Sequence, residues 1–254
     1  MMNGIFDTHA HYDDGRFDTD RHDILTYNNQ NGVVGIINCA VDYASAQVCQ
    51  QLADQYDFCF AAVGVHPENI PSNEVDIKPL YDLAKHPKTV AIGEIGLDYH
   101  WEDCAERSVQ KAWFKEQLNV AKELDKPVII HDRDSHADML EILREYRPKG
   151  VLHCFSGSAE MAKEVTDLGM YIGLGGVVTF KNARKALEVA AAIPLDRLLL
   201  ETDAPYMAPE PFRGKTNLSV YIEHTANAIA KVRNMDTQEL IDVCRGNAQR
   251  LFGI

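Results

Sequence analysis

The stretch Ile5-Phe6-Asp7-Thr8-His9-Ala10-His11 sets two imidazoles one residue apart, straight after an apolar start. Side chains alternate between the faces of a β-strand, so His9 and His11 point the same way, together with Asp7. Two imidazoles on one face can hold a metal ion, and histidine is the commonest protein ligand for one. The pair alone decides nothing, because short His-x-His strings also arise in ordinary packing. Further along the chain, apolar strand-like runs lead into His66 (VGVHP), Glu94 and Asp98 (IGEIGLD), His131 and Arg133 (IIHDR), His153 (LHCFSG) and Asp203 (LLLETDAP). Each has an ordinary structural use; together, on one rim, they are an improbable product of packing. Buried charges must be paired or must coordinate metals. His9, His11 and Asp203 can serve one cation and His131 and His153 another. Glu94 can bridge them, since a carboxylate spans two metals about 3.5–4 Å apart. Positions left open to water and substrate make such a site catalytic rather than structural.

These groups need a scaffold that gathers strand ends. Apolar, β-branched runs fall at 5–10, 33–41, 59–65, 89–96, 127–131, 150–155, 170–180 and 196–202. Amphipathic, helix-like stretches alternate with them near 18–31, 43–56, 74–85, 105–124, 135–146, 158–168 and 182–192, and two more follow near 219–233 and 236–251. Eight strand–helix units in about 250 residues predict a closed parallel (β/α)8 TIM-type barrel, with an extra C-terminal helix and room for distortion. An open doubly wound sheet is the alternative, weakened by the lack of a Gly-rich phosphate fingerprint after the first strand. With no linker, charge block or internal repeat, residues 1–254 read as one domain. The Pro-rich segment Pro205 to Asn217 (PYMAPEPFRGKTN) follows the last strand, where a barrel places an active-site loop.

Composition narrows the setting. The chain has 254 residues, 46% apolar and 25% charged, as expected of a soluble globular protein. No run of about 20 apolar residues predicts a membrane span. The start shows no secretory pattern, and six scattered cysteines without a Cys-x-x-Cys pair fit free thiols, so the cytoplasm is expected. The net charge of −13 argues against a broad phosphate-gripping surface. It leaves room for a nucleic-acid substrate at one small site, where bound cations reverse the local sign.

The motifs FDTHAH, VGVHP, IGEIGLDY, PVIIHDRD, VLHCFSG, LLLETDAPY, APEPFRGKTN and NAQRLFGI, in this order, resemble the TatD family of metal-dependent deoxyribonucleases, within the wider amidohydrolase-like metallohydrolases. The resemblance runs over the whole length. It implies a βα barrel with two divalent metals and hydrolysis of DNA phosphodiester bonds. His9, His11, Glu94, His131, His153 and Asp203 match the family's metal ligands position for position. Two departures stand out: Asn217-Leu218-Ser219 replaces a usual Asn-Glu-Pro, and Asp132 replaces a frequent serine. The first bears on the shape of the substrate loop. The second should matter little, because Asp132 faces away from His131.

The reaction expected is attack on phosphorus by a metal-activated water, with Asp203 as proton acceptor and Glu94 as the bridge. Arg133, Arg213 and Lys215 are candidate phosphate contacts, competing with use in surface salt bridges. His66 and Asp98 are candidate substrate or ligand-supporting groups, and Asp7 is expected to orient a ligand histidine. Trp101, Tyr99 and Tyr206 could stack a base. The native cations are open among Mg, Mn and Zn, with Fe and Ni also suited to imidazoles. The alternative function is an amidohydrolase acting on a C–N bond, a lactone or a small phosphoester with the same metals. Many such enzymes bridge with a modified lysine on the fourth strand, where this chain has Glu94. The physiological substrate among DNA, RNA and small phosphoesters is open. So is the oligomeric state, with which a monomer is compatible.

Overall fold

The computed structural model describes residues 2–71 and 74–254. Among the described residues, eight parallel strands pair in chain order. They are β1 (Ile5–Ala10), β2 (Val33–Cys39), β3 (Cys59–Val63), β4 (Thr89–Asp98), β5 (Val128–Arg133), β6 (Gly150–Leu152), β7 (Tyr171–Leu174) and β8 (Leu198–Leu200). Helices alternate with them: α1 (Arg21–Gln30), α2 (Tyr43–Gln55), α3 (Lys78–Leu83), α4 (Arg107–Glu123), α5 (His136–Tyr146), α6 (Ala159–Asp167), α7 (Arg184–Ala192) and α8 (Ile222–Arg233). A further C-terminal helix, α9 (Thr237–Phe252), packs Ala248, Leu251 and Phe252 with Phe6 and Leu199.

The barrel is nearly closed. β8 and β1 share one bridge, Ala10 to Ala204, rather than a ladder. Around it His11 N–H donates to the Ala204 carbonyl at 2.7 Å and Asp203 N–H to the His9 carbonyl at 2.9 Å. This seam carries His9, His11 and Asp203, so barrel closure itself brings the first and last strands' polar groups together.

Helices cover the strands outside and side chains fill the barrel inside. β4 is therefore buried at all ten positions. In α5, Met139, Ile142 and Leu143 face inward at helical spacing. Gly96 in β4 has φ +146°, and a Cβ there would lie 2.0 Å from the His131 carbonyl oxygen. Only glycine allows this approach of β4 to β5. Gly96 is paired with His131, so the approach sits directly beside the site.

The strand-like run 170–180 stops at Leu174 and continues as a 3-10 turn over Gly176–Thr179. The backbone there must pass the 205–209 loop, since a Cβ on Gly176 would meet the Met207 carbonyl oxygen at 2.2 Å. The helix expected near 74–85 shortens to α3, which opens with Pro79 in its first turn. The stretch 18–31 begins as a helix only at Arg21, after a separate 3-10 turn at Gly15–Phe17.

Candidate metal centre

The strands deliver their polar groups to the C-terminal mouth of the barrel. His9 lies within β1 and His11 just beyond it; His131 lies in β5, and His153 follows β6. Asp203 follows β8 with φ +59°. Glu94 is not terminal: β4 runs four residues further, to Asp98. The family-matched residues nevertheless converge on one point. His11, His66, Glu94, Trp101, His131, Arg133, His153, Asp203, Arg213 and Lys215 line a single cleft of about 960 Å³. His9 and Asp98 are fully buried beneath it.

Glu94 is the hub. Its Oε1 lies 2.7 Å from His153 Nε2, 3.0 Å from His131 Nδ1 and 3.5 Å from His66 Nε2. Its Oε2 lies 3.3 Å from His9 Nε2 and 3.5 Å from His11 Nε2. Asp203 Oδ1 closes the other side, 3.4 Å from His11 Nε2 and 3.7 Å from His9 Nε2. The donors fall into two separate triads, His9/His11/Asp203 and His66/Glu94/His131, linked by a third, His9/Glu94/His153. His66, expected to serve substrate or a ligand, thus stands among the donors themselves.

The donor set fits divalent cations. His9 Nε2 and His11 Nε2 lie 3.0 Å apart, and His131 Nδ1 and His153 Nε2 3.3 Å apart. Ring nitrogens that converge in pairs around an ionised carboxylate are suited to share cations rather than one another's protons. Burial opposes the charge on Glu94, yet His153, His66 and His9 hold its carboxyl well below the usual range. Burial, reinforced by the neighbouring His153, lowers His9 to about 4, whereas against burial the Asp203 and Glu94 carboxylates raise His11 to about 9 and Asp98 and Glu94 raise His131 to about 10, so a cation bound there would displace protons from those rings.

The supporting contacts differ in part from expectation. Asp98 Oδ2 accepts from His131 Nε2 at 2.8 Å, so it orients that ring. His11 Nδ1 sits 2.8 Å from the Cys39 carbonyl and is the donor there. Asp7 does not orient either imidazole. Its carboxylate takes hydrogen bonds from Ser219 Oγ (2.6 Å), Thr202 Oγ1 (2.6 Å), Thr202 N–H (3.0 Å) and His9 N–H (3.3 Å). It ties the β8 end and the Ser219 turn to β1. Tyr99 also turns away from the cleft, donating to Asp138 on α5 at 2.7 Å. Asp132 accepts from Ser135 Oγ and His136 Nδ1, away from His131.

A family model described as TatD related DNase matches residues 6–253. The chain belongs to the TatD family. It is a metal-dependent hydrolase, and it is 42% identical over 254 residues to the uncharacterised metal-dependent hydrolase YabD of Bacillus subtilis (strain 168), covering 98% of this chain and 99% of the relative. A protein of Klebsiella pneumoniae (strain 342) named 3'-5' ssDNA/RNA exonuclease TatD is 35% identical over 259 residues, with 98% of each chain covered. The crystal structure of YjjV, a TatD homologue from Escherichia coli K12, superposes with a TM-score of 0.92 at 34% identity, covering 100% of both chains.

The mouth of this TatD-family barrel carries Arg133, Arg213 and Lys215 beside the acidic Glu68 and Asp132. Arg133 lies over the Trp101 ring at 5.1 Å, Arg213 over Phe180 at 3.8 Å and Lys215 by Phe212 at 5.7 Å. Among the described residues none of the three makes an ion pair with a carboxylate, so the salt-bridge use is not what the fold gives them. The Asn217 side chain donates to the Thr202 and Tyr206 carbonyls at 2.9 and 2.8 Å, pinning the Pro-rich loop to the end of β8. Sequence reasoning missed two groups. Glu201 is buried beside His153 and pushed up to about 8 by burial, whereas LLLET reads as a plain strand end. Arg16, in the loop after β1, also lines the cleft. Its signal was a lone cation among aspartates on a loop the barrel places at the mouth.

Proposed function

We propose that this chain hydrolyses phosphodiester bonds of single-stranded nucleic acid at a two-cation centre. Glu94 carries the reading: its two oxygens face opposite halves of the histidine cluster. His9, His11 and Asp203 would hold one divalent cation, and His131 and His153 the other, with Glu94 between them and His66 near enough to join. Mg, Mn or Zn suits this mixture of imidazole and carboxylate. Divalent cations held there supply Lewis acidity, acidifying water and offsetting charge on the phosphoryl oxygens.

The chain's own groups do the rest. Burial opposes ionisation of Asp203, but the His11 hydrogen bond and the His11 charge keep its carboxyl below the usual range. Its carboxylate can therefore accept a proton from the attacking water. Arg133, Arg213 and Lys215, which among the described residues make no ion pair with a carboxylate, can present their charges to the phosphates. The TatD-family relative named as an ssDNA/RNA exonuclease supports the substrate class. Among the described residues no helix is long and apolar enough to cross a membrane, and the six free cysteines suit a reducing cytoplasm.

The test is a screen on one preparation whose metal content is measured. Single- and double-stranded DNA, RNA, a chromogenic phosphodiester, an amide and a lactone are offered with Mg, Mn or Zn. Expected are up to two cations per chain and chelator-sensitive cleavage of single strands. Two bound cations with amide or lactone cleavage, and no phosphodiester cleaved, would overturn the reading.

A further inference from the structure

The cleft has a fourth cation, Arg16, and its placement mirrors that of Arg133. Arg133 follows His131 by two residues and lies over Trp101, on the side of the centre built by His131 and Asp98. Arg16 lies 4.6 Å over the Tyr206 ring, on the side built by His11 and Asp203. The Tyr206 ring stands edge to face with His11, centroids 6.4 Å apart. Two arginines seated on aromatic rings thus flank opposite halves of one centre.

The Arg16 seat is rigid. Tyr206 donates its hydroxyl to Asp14 Oδ2 at 2.8 Å and its N–H to the Asp203 carbonyl at 2.7 Å, and its own carbonyl accepts from Asn217. Arg16 is anchored through its backbone, whose N–H donates to Asp14 Oδ1 at 2.7 Å, while the next residue, Phe17, is fully buried. The guanidinium itself is exposed and, among the described residues, has no carboxylate partner. A cation–π contact engages the charge and leaves the N–H donors free for another acceptor.

We propose that Arg16, held on Tyr206, is a second phosphate clamp. It would take the phosphate next to the scissile one, on the Asp203 side, while Arg133 and Trp101 hold the strand on the far side. This rests on the nucleic-acid reading above and adds to it: the site is built for a run of phosphates rather than for one ester. The strand would cross the mouth from one arginine–aromatic pair to the other.

The test pairs a protein change with a substrate change. Arg16→Gln, Arg16→Lys and wild type are compared for cleavage of the middle linkage of a tetranucleotide with all three phosphodiesters, and of two tetranucleotides carrying a neutral methylphosphonate at the first or the third linkage. Loss of a charge-assisted hydrogen bond predicts about a tenfold or greater fall in kcat/KM for Arg16→Gln. Arg16→Lys should recover part of it, since the charge stays and the fork is lost. Wild type should lose a similar factor on one of the methylphosphonates, and on that substrate Arg16→Gln should add little. Losses that multiply on both methylphosphonates, or no loss in Arg16→Gln, would overturn the clamp. If wild type binds the tetranucleotide without cutting it, the hydrolytic reading fails and the same comparison on Kd decides the clamp. If it neither binds nor cuts, both fail. Melting temperature confirms that each variant is folded.

Discussion

His131 Nε2 lies 2.8 Å from Asp98 Oδ2, while its other nitrogen, Nδ1, faces Glu94 Oε1 at 3.0 Å. A proton on Nε2 donated to Asp98 leaves the Nδ1 lone pair for a cation. Asp98 thus selects which nitrogen ligates. Its own position is fixed, because Oδ1 accepts from His100 N–H at 2.8 Å and its N–H donates to Gln110 at 2.8 Å. Asp98→Ala should weaken cation binding by about 10–100-fold. Asp98→Asn should lose less, since an amide oxygen can still accept from Nε2. Metal titration with a chromogenic indicator reads both; equal affinity in all three proteins would return Asp98 to a structural role.

Ser219 stands where the family pattern has proline. Its Oγ donates to Asp7 at 2.6 Å and accepts from the Tyr12 hydroxyl at 2.8 Å, and its N–H donates back to that hydroxyl at 2.9 Å. Proline could make none of these bonds. Ser219→Ala should cost about 1–3 kcal/mol, because it leaves buried polar groups unpaired. The cost should grow with pH. Burial raises Asp7 from 3.8 to about 6, against the pull of Ser219 and Thr202. Folding therefore favours the protonated acid, and Asp7 ionises at a stability cost as pH climbs from about 4 through 6. Without the Ser219 donor that cost rises. Chemical denaturation of the chelated proteins at pH 5 and pH 8 should show the larger deficit at pH 8. A pH-independent deficit would mean that Asp7 is not the partner that matters.

The six family-matched residues were legible because strand periodicity and barrel topology act on them locally: each belongs to an apolar run whose end the fold must deliver to one mouth. Nothing in VGVHP says that the His66 ring reaches across to within 3.5 Å of Glu94. What escaped depends on contacts far apart in the chain. Asp7 shares a face with His9 in β1, yet its partners, Thr202 and Ser219, come from the other end of the molecule. The aromatic seats of Arg133 and Arg213 depend on loop paths that no period encodes. The 170–180 run breaks at Gly175-Gly176, where glycine weakens a strand and where the backbone passes close to the 205–209 loop, a contact no local period encodes.

Arg213 lies over Phe180 at 3.8 Å, outside the donor cluster. Arg213→Ala should lower kcat/KM on oligonucleotides by roughly ten- to a hundredfold, the worth of a charged hydrogen bond of about 1.5–3 kcal/mol. Cation stoichiometry should not change. Unaltered kinetics would mean that Phe180 packing, not substrate, is what Arg213 serves.

Glu94→Gln tests the centre most directly. Glu94 is 3% exposed, and five imidazoles come within 3.5 Å of its two oxygens. The substitution keeps the size and removes the charge. One oxygen becomes an NH2 group, which cannot ligate and which points its hydrogens at ring nitrogens. The variant should bind fewer than two cations, or bind them weakly, and lose most turnover. It should remain folded, because the barrel core around β4 is apolar: Ile92, Ile95 and Leu97 are fully buried. A role limited to structure predicts the reverse pattern, a lower melting temperature with stoichiometry and rate intact. Metal content, melting temperature and hydrolysis measured on one preparation separate the two. A Glu94→Gln protein that holds two cations tightly and turns over at a near-normal rate would remove the bridge, and with it the two-cation mechanism.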